Sequence, residues 1–213
     1  MSCWALVPVK ARTAGKARLS GVLDASARAA LVSAMLDHVL DALHDCAGLA
    51  GIAVMTPERD MLPKNVLWLD DAADDVNQSL RTALGILGAR GVRRAAVVSA
   101  DLPLLAADEI ATLIRASKAT GVALAPDRHG TGTNAMALAL PSAFCPHFGR
   151  GSLALHRAEA AKLGVTAATV RLPGFEFDVD EPEDLTLLAG RKQGRFGLPS
   201  LECAAAALRE PHG

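Results

Sequence analysis

The stretch Val97-Val98-Ser99-Ala100-Asp101-Leu102-Pro103-Leu104-Leu105 decides how the chain is read. A short apolar run ends in an acid, and a Leu-Pro turn follows at once. Such a run reads as a buried strand that delivers one carboxylate to its C-terminal edge. In open α/β sheets, ligands bind at that edge. On this stretch alone a second reading stays open, in which Asp101 starts the turn and bonds its own backbone.

The rest of the chain supplies the sheet such a strand would need. Apolar runs at Trp4–Val9, Ile52–Met55, Val66–Leu69, Arg94–Ala100, Val122–Ala125, Ala135–Leu140 and Thr166–Leu172 read as strands. Between them, helical periodicity is expected over Asp24–Cys46, Val76 to about Ala89, Ala107–Ala119 and about Leu153–Leu163. Strands alternating with helices predict an α/β fold of three layers, with a mostly parallel, Rossmann-like sheet covered on both faces. The strand pair around Thr133 is expected to add an antiparallel element. Asp24 or Ser26 can cap the first long helix, and Asn77 or Gln78 the second. Residues 1–189 read as one domain and 190–213 as a peripheral tail, with a short helix near Leu201–Arg209.

With 213 residues, 51% hydrophobic and 21% charged, the chain is globular. A net charge of -1 does not suggest electrostatic wrapping of nucleic acid, although a local basic cluster can still bind a small anion. The N-terminus lacks the basic region and the apolar length of a signal peptide, and no run of roughly 18 apolar residues predicts a membrane span. Four scattered cysteines, Cys3, Cys46, Cys145 and Cys203, form no metal knuckle or redox pair. Unpaired thiols of this kind point to the cytoplasm.

Four segments carry chemistry. Lys10, Arg12, Lys16 and Arg18 crowd one loop after the first strand with no acid among them. Like charge at that density suggests a polyanion cradle, most simply for a triphosphate. The loop fits neither a Walker-type phosphate loop nor a dinucleotide fingerprint. Pro126 to Asn134 is a polar, Gly-rich loop that can bring N–H groups and hydroxyls, Thr133 among them, onto an anion, or can be a plain hairpin turn. Phe148-Gly149-Arg150-Gly151-Ser152 opens a helix and is suited to an anion, with His156 on the same face. Asp178 and Asp180 alternate along an extended segment and can share one cation, although Asp180 and Glu183 also fit a capping box with Pro182 in the first turn. The acids Asp70, Asp71, Asp74 and Asp75 read as a solvated helix entry. Together these parts suit nucleotidyl transfer, in which cations neutralise a triphosphate and two carboxylates hold a divalent metal.

VPVKARTAGKARLS, SADLPLL, PDRHGTGTNAMAL, FGRGSLALH and DVDEPEDL occur in that order over roughly residues 4–189. In this the chain resembles the 2-phospho-L-lactate guanylyltransferase family of coenzyme F-420 biosynthesis. The resemblance implies a nucleotide-diphospho-sugar transferase fold of the glycosyltransferase-A type. It implies transfer of GMP from GTP to 2-phospho-L-lactate, phosphoenolpyruvate or 3-phospho-D-glycerate, with Mg2+ as the divalent metal. It places the metal on Asp101 and Asp180, with Asp178 beside them, and the GTP phosphates on Lys10, Lys16 and Arg18, near Arg12. Asn77 becomes a guanine-side candidate, although Asp75-Val76-Asn77 stands where family members carry Gly-Leu-Asn. Thr133, Gly149 and Ser152 become acceptor residues, with His156 nearby. Ala100 replaces the glycine usual before the central acid. The resemblance leaves room for a homodimer. Competing readings are a molybdopterin or sugar-phosphate nucleotidyltransferase, which usually opens with a Gly-rich loop absent here, and a non-catalytic GTP-binding module.

Overall fold

The computed structural model describes residues 2–11, 15–71 and 75–190. Arg12, Asp74 and the expected tail from residue 191 onward lie outside the described residues. The strands are β1 (Cys3–Pro8), β2 (Leu49–Met55), β3 (Leu67–Leu69), β4 (Arg94–Val98), β5 (Gly121–Pro126), β6 (Thr133–Ala139) and β7 (Thr166–Thr169). They form one seven-stranded sheet in the order β3-β2-β1-β4-β6-β5-β7. All neighbours are parallel except β6, which runs antiparallel to both β4 and β5. The expected reversal at the Thr133 strand is therefore present.

The helices are α1 (Ala25–His44), α2 (Val76–Ala89), α3 (Ala107–Thr120), α4 (Ser152–Lys162), α5 (Pro173–Glu176) and α6 (Pro182–Gly190). Alternation along each strand sorts the core into two layers. Ala5, Val7, Val54, Ala96 and Val98 face a cluster with Leu36, Val39 and Leu40 of α1 and Ile110 and Leu113 of α3. Leu6, Ala53, Met55, Ala95 and Val97 face the other way, against Leu80 and Leu84 of α2 and Leu153 of α4. A strand such as β4, buried on both faces, has no polar alternation to display, which is why it reads as a continuous apolar run. A third, smaller cluster joins Leu19 and Leu23 to Leu31 and Met35 of α1, and to Phe177, Val179, Leu185 and Leu188.

Helix starts explain two departures from expectation. Asp24 caps α1 as expected, accepting from the Ala27 N–H at 2.7 Å. At α2 the cap is Asp75, whose carboxylate accepts the Asn77 N–H at 2.8 Å, rather than Asn77 or Gln78. At α6, Pro182 sets the first turn one residue later than the Asp180–Glu183 box assumes. Asp184, not Glu183, reaches back to accept from both the Asp180 and Glu181 N–H groups at 2.8 Å.

The turn after β4 is held from behind. Glu109 of α3 accepts from the Ala106 N–H at 3.1 Å and from the Gly174 N–H at 2.9 Å. A Cβ on Gly174 would lie 2.7 Å from the Leu104 carbonyl oxygen and 2.8 Å from the Leu105 Cα, both backbone atoms. Gly174→Ala should therefore destabilise the fold by about 2 kcal/mol through overpacking, read as a lower urea midpoint at unchanged slope.

Candidate active site

Every parallel strand ends at one edge of the sheet, and because β6 is antiparallel its first residues return to that edge. The edge gathers the loop after β1, the turn after β4, and the segment that leads into α6. A cavity of about 660 Å³ opens there. Lys10, Lys16, Arg18, Asp71, Asp101, Phe148 and Asp180 line it, with Pro57, Val76 and Leu80 adding apolar wall.

Its centre is Lys16. The residue stands at the head of the 3₁₀ turn Ala17–Gly21, with a left-handed backbone at φ 56°, ψ 41°. It is the one non-glycine residue with positive φ among the described residues. Such a conformation persists only where its surroundings enforce it. The ammonium supplies that constraint: Nζ donates to Asp101 Oδ2 at 2.5 Å and to Asp180 Oδ1 at 2.8 Å. The side chain is 9% exposed. Burial disfavours the charge, but the two carboxylates outweigh it and hold the ammonium well above the ordinary lysine range. Burial likewise opposes ionisation of Asp180, yet Lys16, with Arg18 and Arg128, takes its carboxyl below the usual value. Asp178 moves the other way, raised first by burial and then by the charge of Asp101. The Asp101 side chain thus engages Lys16 across the site, while its carbonyl accepts the Val179 N–H at 3.3 Å.

Asp180 is positioned by a relay that single residues in the sequence do not announce. Arg128, in the loop after β5, pairs with Asp184. Asp184 is 1% exposed and binds the Asp180 backbone N–H with its second oxygen. Arg128 also lies 5.7 Å from the centre of the Phe177 ring. Arg18 reaches Glu181 at 3.0 Å on the rim, where solvent screens the pair.

The acceptor candidates form a separate cluster. Gly149 (φ +128°) and Gly151 (φ +71°) make the left-handed turn before α4, where a side chain would strain the backbone. The Ser152 N–H already bonds the Gly149 carbonyl and the Leu153 N–H the Thr131 carbonyl, each at 3.1 Å. Two donors of that helix start are thus committed within the protein. Thr133, Ser152 and His156 are buried. None of these three, nor Gly149, lines the cavity, although Phe148 beside them does.

His156 is not free to bind a ligand. Its Nε2 accepts the His147 N–H at 2.8 Å, and its Nδ1 lies 3.0 Å from Thr133 Oγ1. Nε2 is therefore unprotonated, and the neutral ring carries its proton on Nδ1 and donates it to Thr133. The Thr133 hydroxyl proton is left to donate elsewhere. Asn77 also has a different task from the base contact that the resemblance implies. Its amide donates to the Phe148 carbonyl at 3.0 Å and accepts the Phe148 N–H at 2.6 Å. It braces the loop whose ring walls the cavity.

The fold is that of the nucleotide-diphospho-sugar transferases. A protein assigned to that type from Desulfovibrio desulfuricans G20 superposes with a TM-score of 0.76 at 14% identity, covering 98% of this chain and 95% of its own. A 4-diphosphocytidyl-2C-methyl-D-erythritol synthase superposes at 0.56 with 16% identity, covering 88% and 97%. These likenesses concern the fold. The chain belongs to the family described as guanylyl transferase CofC like, whose profile matches residues 3–195. Among its relatives, the phosphoenolpyruvate guanylyltransferase of Sphaerobacter thermophilus is 39% identical over 194 residues, 89% of this chain and 94% of that protein. The enzyme of the same name from Conexibacter woesei is 34% identical over 206 residues, 91% and 92%. Among the described residues, no helix is long and apolar enough to cross a membrane.

Burial, and then the neighbouring His147, lower the His156 pKa from 6.5 to about 4. The unfolded chain binds that proton below pH 6.5 and the folded chain does not. Stability should therefore fall as pH drops from 6.5 towards 4, by up to roughly 3 kcal/mol. Urea midpoints across that window check this, and His156→Gln should flatten that part of the slope.

Proposed function

We propose that this chain transfers GMP from GTP to phosphoenolpyruvate and releases pyrophosphate, as a step of coenzyme F-420 biosynthesis. The observation that carries the reading is the convergence of Asp101 and Asp180 on one buried cation at the wall of a cation-lined cavity. Family membership and the names of the relatives favour guanylyl transfer and, among the three phospho-acids, phosphoenolpyruvate.

Two carboxylates that share one cation fit a divalent metal, in this reading Mg2+, held by Asp101 and Asp180 with Asp178 beside them. Bound there, the metal would neutralise the phosphates and stabilise charge at the α-phosphate. Among the described residues no group of three or more His, Cys, Asp or Glu could enclose an ion. Mg2+ is commonly bound by one or two carboxylates and takes its other ligands from phosphates and water.

Lys10, Lys16 and Arg18 bind the triphosphate, and Lys16 exchanges its carboxylate partners for phosphate oxygens. Those cations also steady the departing pyrophosphate. The acceptor sits by the turn at Gly149 to Ser152, where the Thr133 hydroxyl has a proton to give. An acceptor phosphate is an anion at neutral pH, so the attack needs no strong base. Positioning and fixed charge do most of the work. His156, neutral and spent on both nitrogens, orients Thr133 and takes no part in proton transfer.

Pyrophosphate release from GTP and Mg2+ tests this, with the three phospho-acids offered separately. Release is expected with phosphoenolpyruvate and not with 2-phospho-L-lactate or 3-phospho-D-glycerate. Asp101→Asn should lower turnover at least roughly a hundredfold. Undiminished turnover in that variant would remove the metal role assigned to Asp101.

A further inference from the structure

We propose that Asp71 selects the base, its carboxylate accepting the N1–H and 2-amino hydrogens of guanine. The inference rests on the GTP reading above and names the residue that makes the nucleotide GTP. Asp71 stands two residues past the end of β3 and lines the cavity on the side away from Asp101. In the order β3-β2-β1-β4, the ends of β3 and β4 lie three strand spacings apart, roughly 14 Å. An extended nucleoside triphosphate spans a comparable length. With its phosphates at Lys16 and Asp101, its base comes to lie over β2 and β3.

One oxygen of the carboxylate there lacks a donor. Oδ1 of Asp71 is shut off from water and accepts no hydrogen bond. Buried acceptors in native proteins are nearly always paired, and an unpaired one is costly. Among the described residues, two other buried side-chain atoms share this state, Arg28 Nε and Ser79 Oγ, and neither residue lines the cavity. A donor arriving with the ligand resolves the deficit at Asp71. Guanine presents two adjacent donors along one edge, a match for the two oxygens of a carboxylate. Adenine presents a lone pair at N1 and no 2-amino group, so it meets the same carboxylate with repulsion. Pro57, Val76 and Leu80 supply apolar contact for the faces of a planar base. Asn77, the other polar candidate on this side, is already committed to Phe148.

Direct calorimetric binding to the full chain tests the assignment, with GTP, inosine triphosphate, ATP and xanthosine triphosphate as probes. Wild type should bind GTP at least tenfold more tightly than the inosine analogue, which lacks the 2-amino group, and more tightly still than ATP. Asp71→Asn exchanges one acceptor for a donor. It should weaken GTP at least tenfold and strengthen the xanthine nucleotide, whose edge offers N1–H beside a carbonyl. The proposal is overturned if wild type fails to distinguish GTP from inosine triphosphate, or if the variant binds GTP within twofold of wild type. Equal losses of GTP and xanthosine triphosphate in the variant also overturn it. Wild type that binds no purine triphosphate at all removes the functional reading and this inference together. GTP binding that ignores Asp71 but falls in Lys16→Ala removes only the inference.

Discussion

The site depends on one interaction, the ammonium of Lys16 held between Asp101 and Asp180. Two partly exposed carboxylates facing each other would repel, and a buried lysine alone would lose its charge. Each defect cures the other. The bond also explains the backbone, since a left-handed lysine is tolerated only where both ends of the residue are fixed. Through it, the loop after the first strand, the turn after the fourth and the segment before the last described helix meet at one point. Arg128 and Asp184 then secure that segment from beneath, so the charges above rest on a second pair whose carboxylate is fully buried.

The reversal of one strand does comparable work for the other half of the site. Had the sixth strand run parallel, its start would lie at the opposite edge. Running antiparallel between the fourth and fifth, it returns Thr133 to the ligand edge and sets Asn134 beneath the short helix at Pro173, whose Phe175 carbonyl it binds at 2.9 Å. The proton pattern on His156 then leaves the Thr133 hydroxyl able to donate. In the reading proposed above, acceptor binding is thus tuned by a residue that need not touch the acceptor.

Much of the fold was legible because its signals are local. Apolar runs bounded by turns marked the strands, and helical spacing with Asp24 marked the first helix. Lys16, Asp101 and Asp180, which the structure brings together, also stood out, since charge crowding, an acid at a strand end and alternating acids are visible one residue at a time. What escaped depends on partners distant in the chain. Asn77 read as a helix cap, and by resemblance as a guanine-side candidate, because nothing in sequence says that its amide meets Phe148. Asp71 read as a solvated acid because neighbouring acids resemble a helix entry, and only the cavity shows that it faces inward. At the last helix the capping acid was displaced by one residue, the shift that Pro182 imposes.

The small apolar cluster that joins Leu19 and Leu23 to Phe177, Val179 and Leu185 bears on how the chain reaches its final form. Lys16 and Asp180 are 164 residues apart, and this cluster is the apolar packing that brings their segments together. Contacts of such long range carry a high closure entropy and contribute to slow folding. The sheet can assemble strand by strand, which brings Asp101 to Lys16, whereas the second carboxylate of the pair, Asp180, arrives only with the end of the chain's described part. During synthesis, the first strand and its lysines therefore emerge long before the residues that neutralise them.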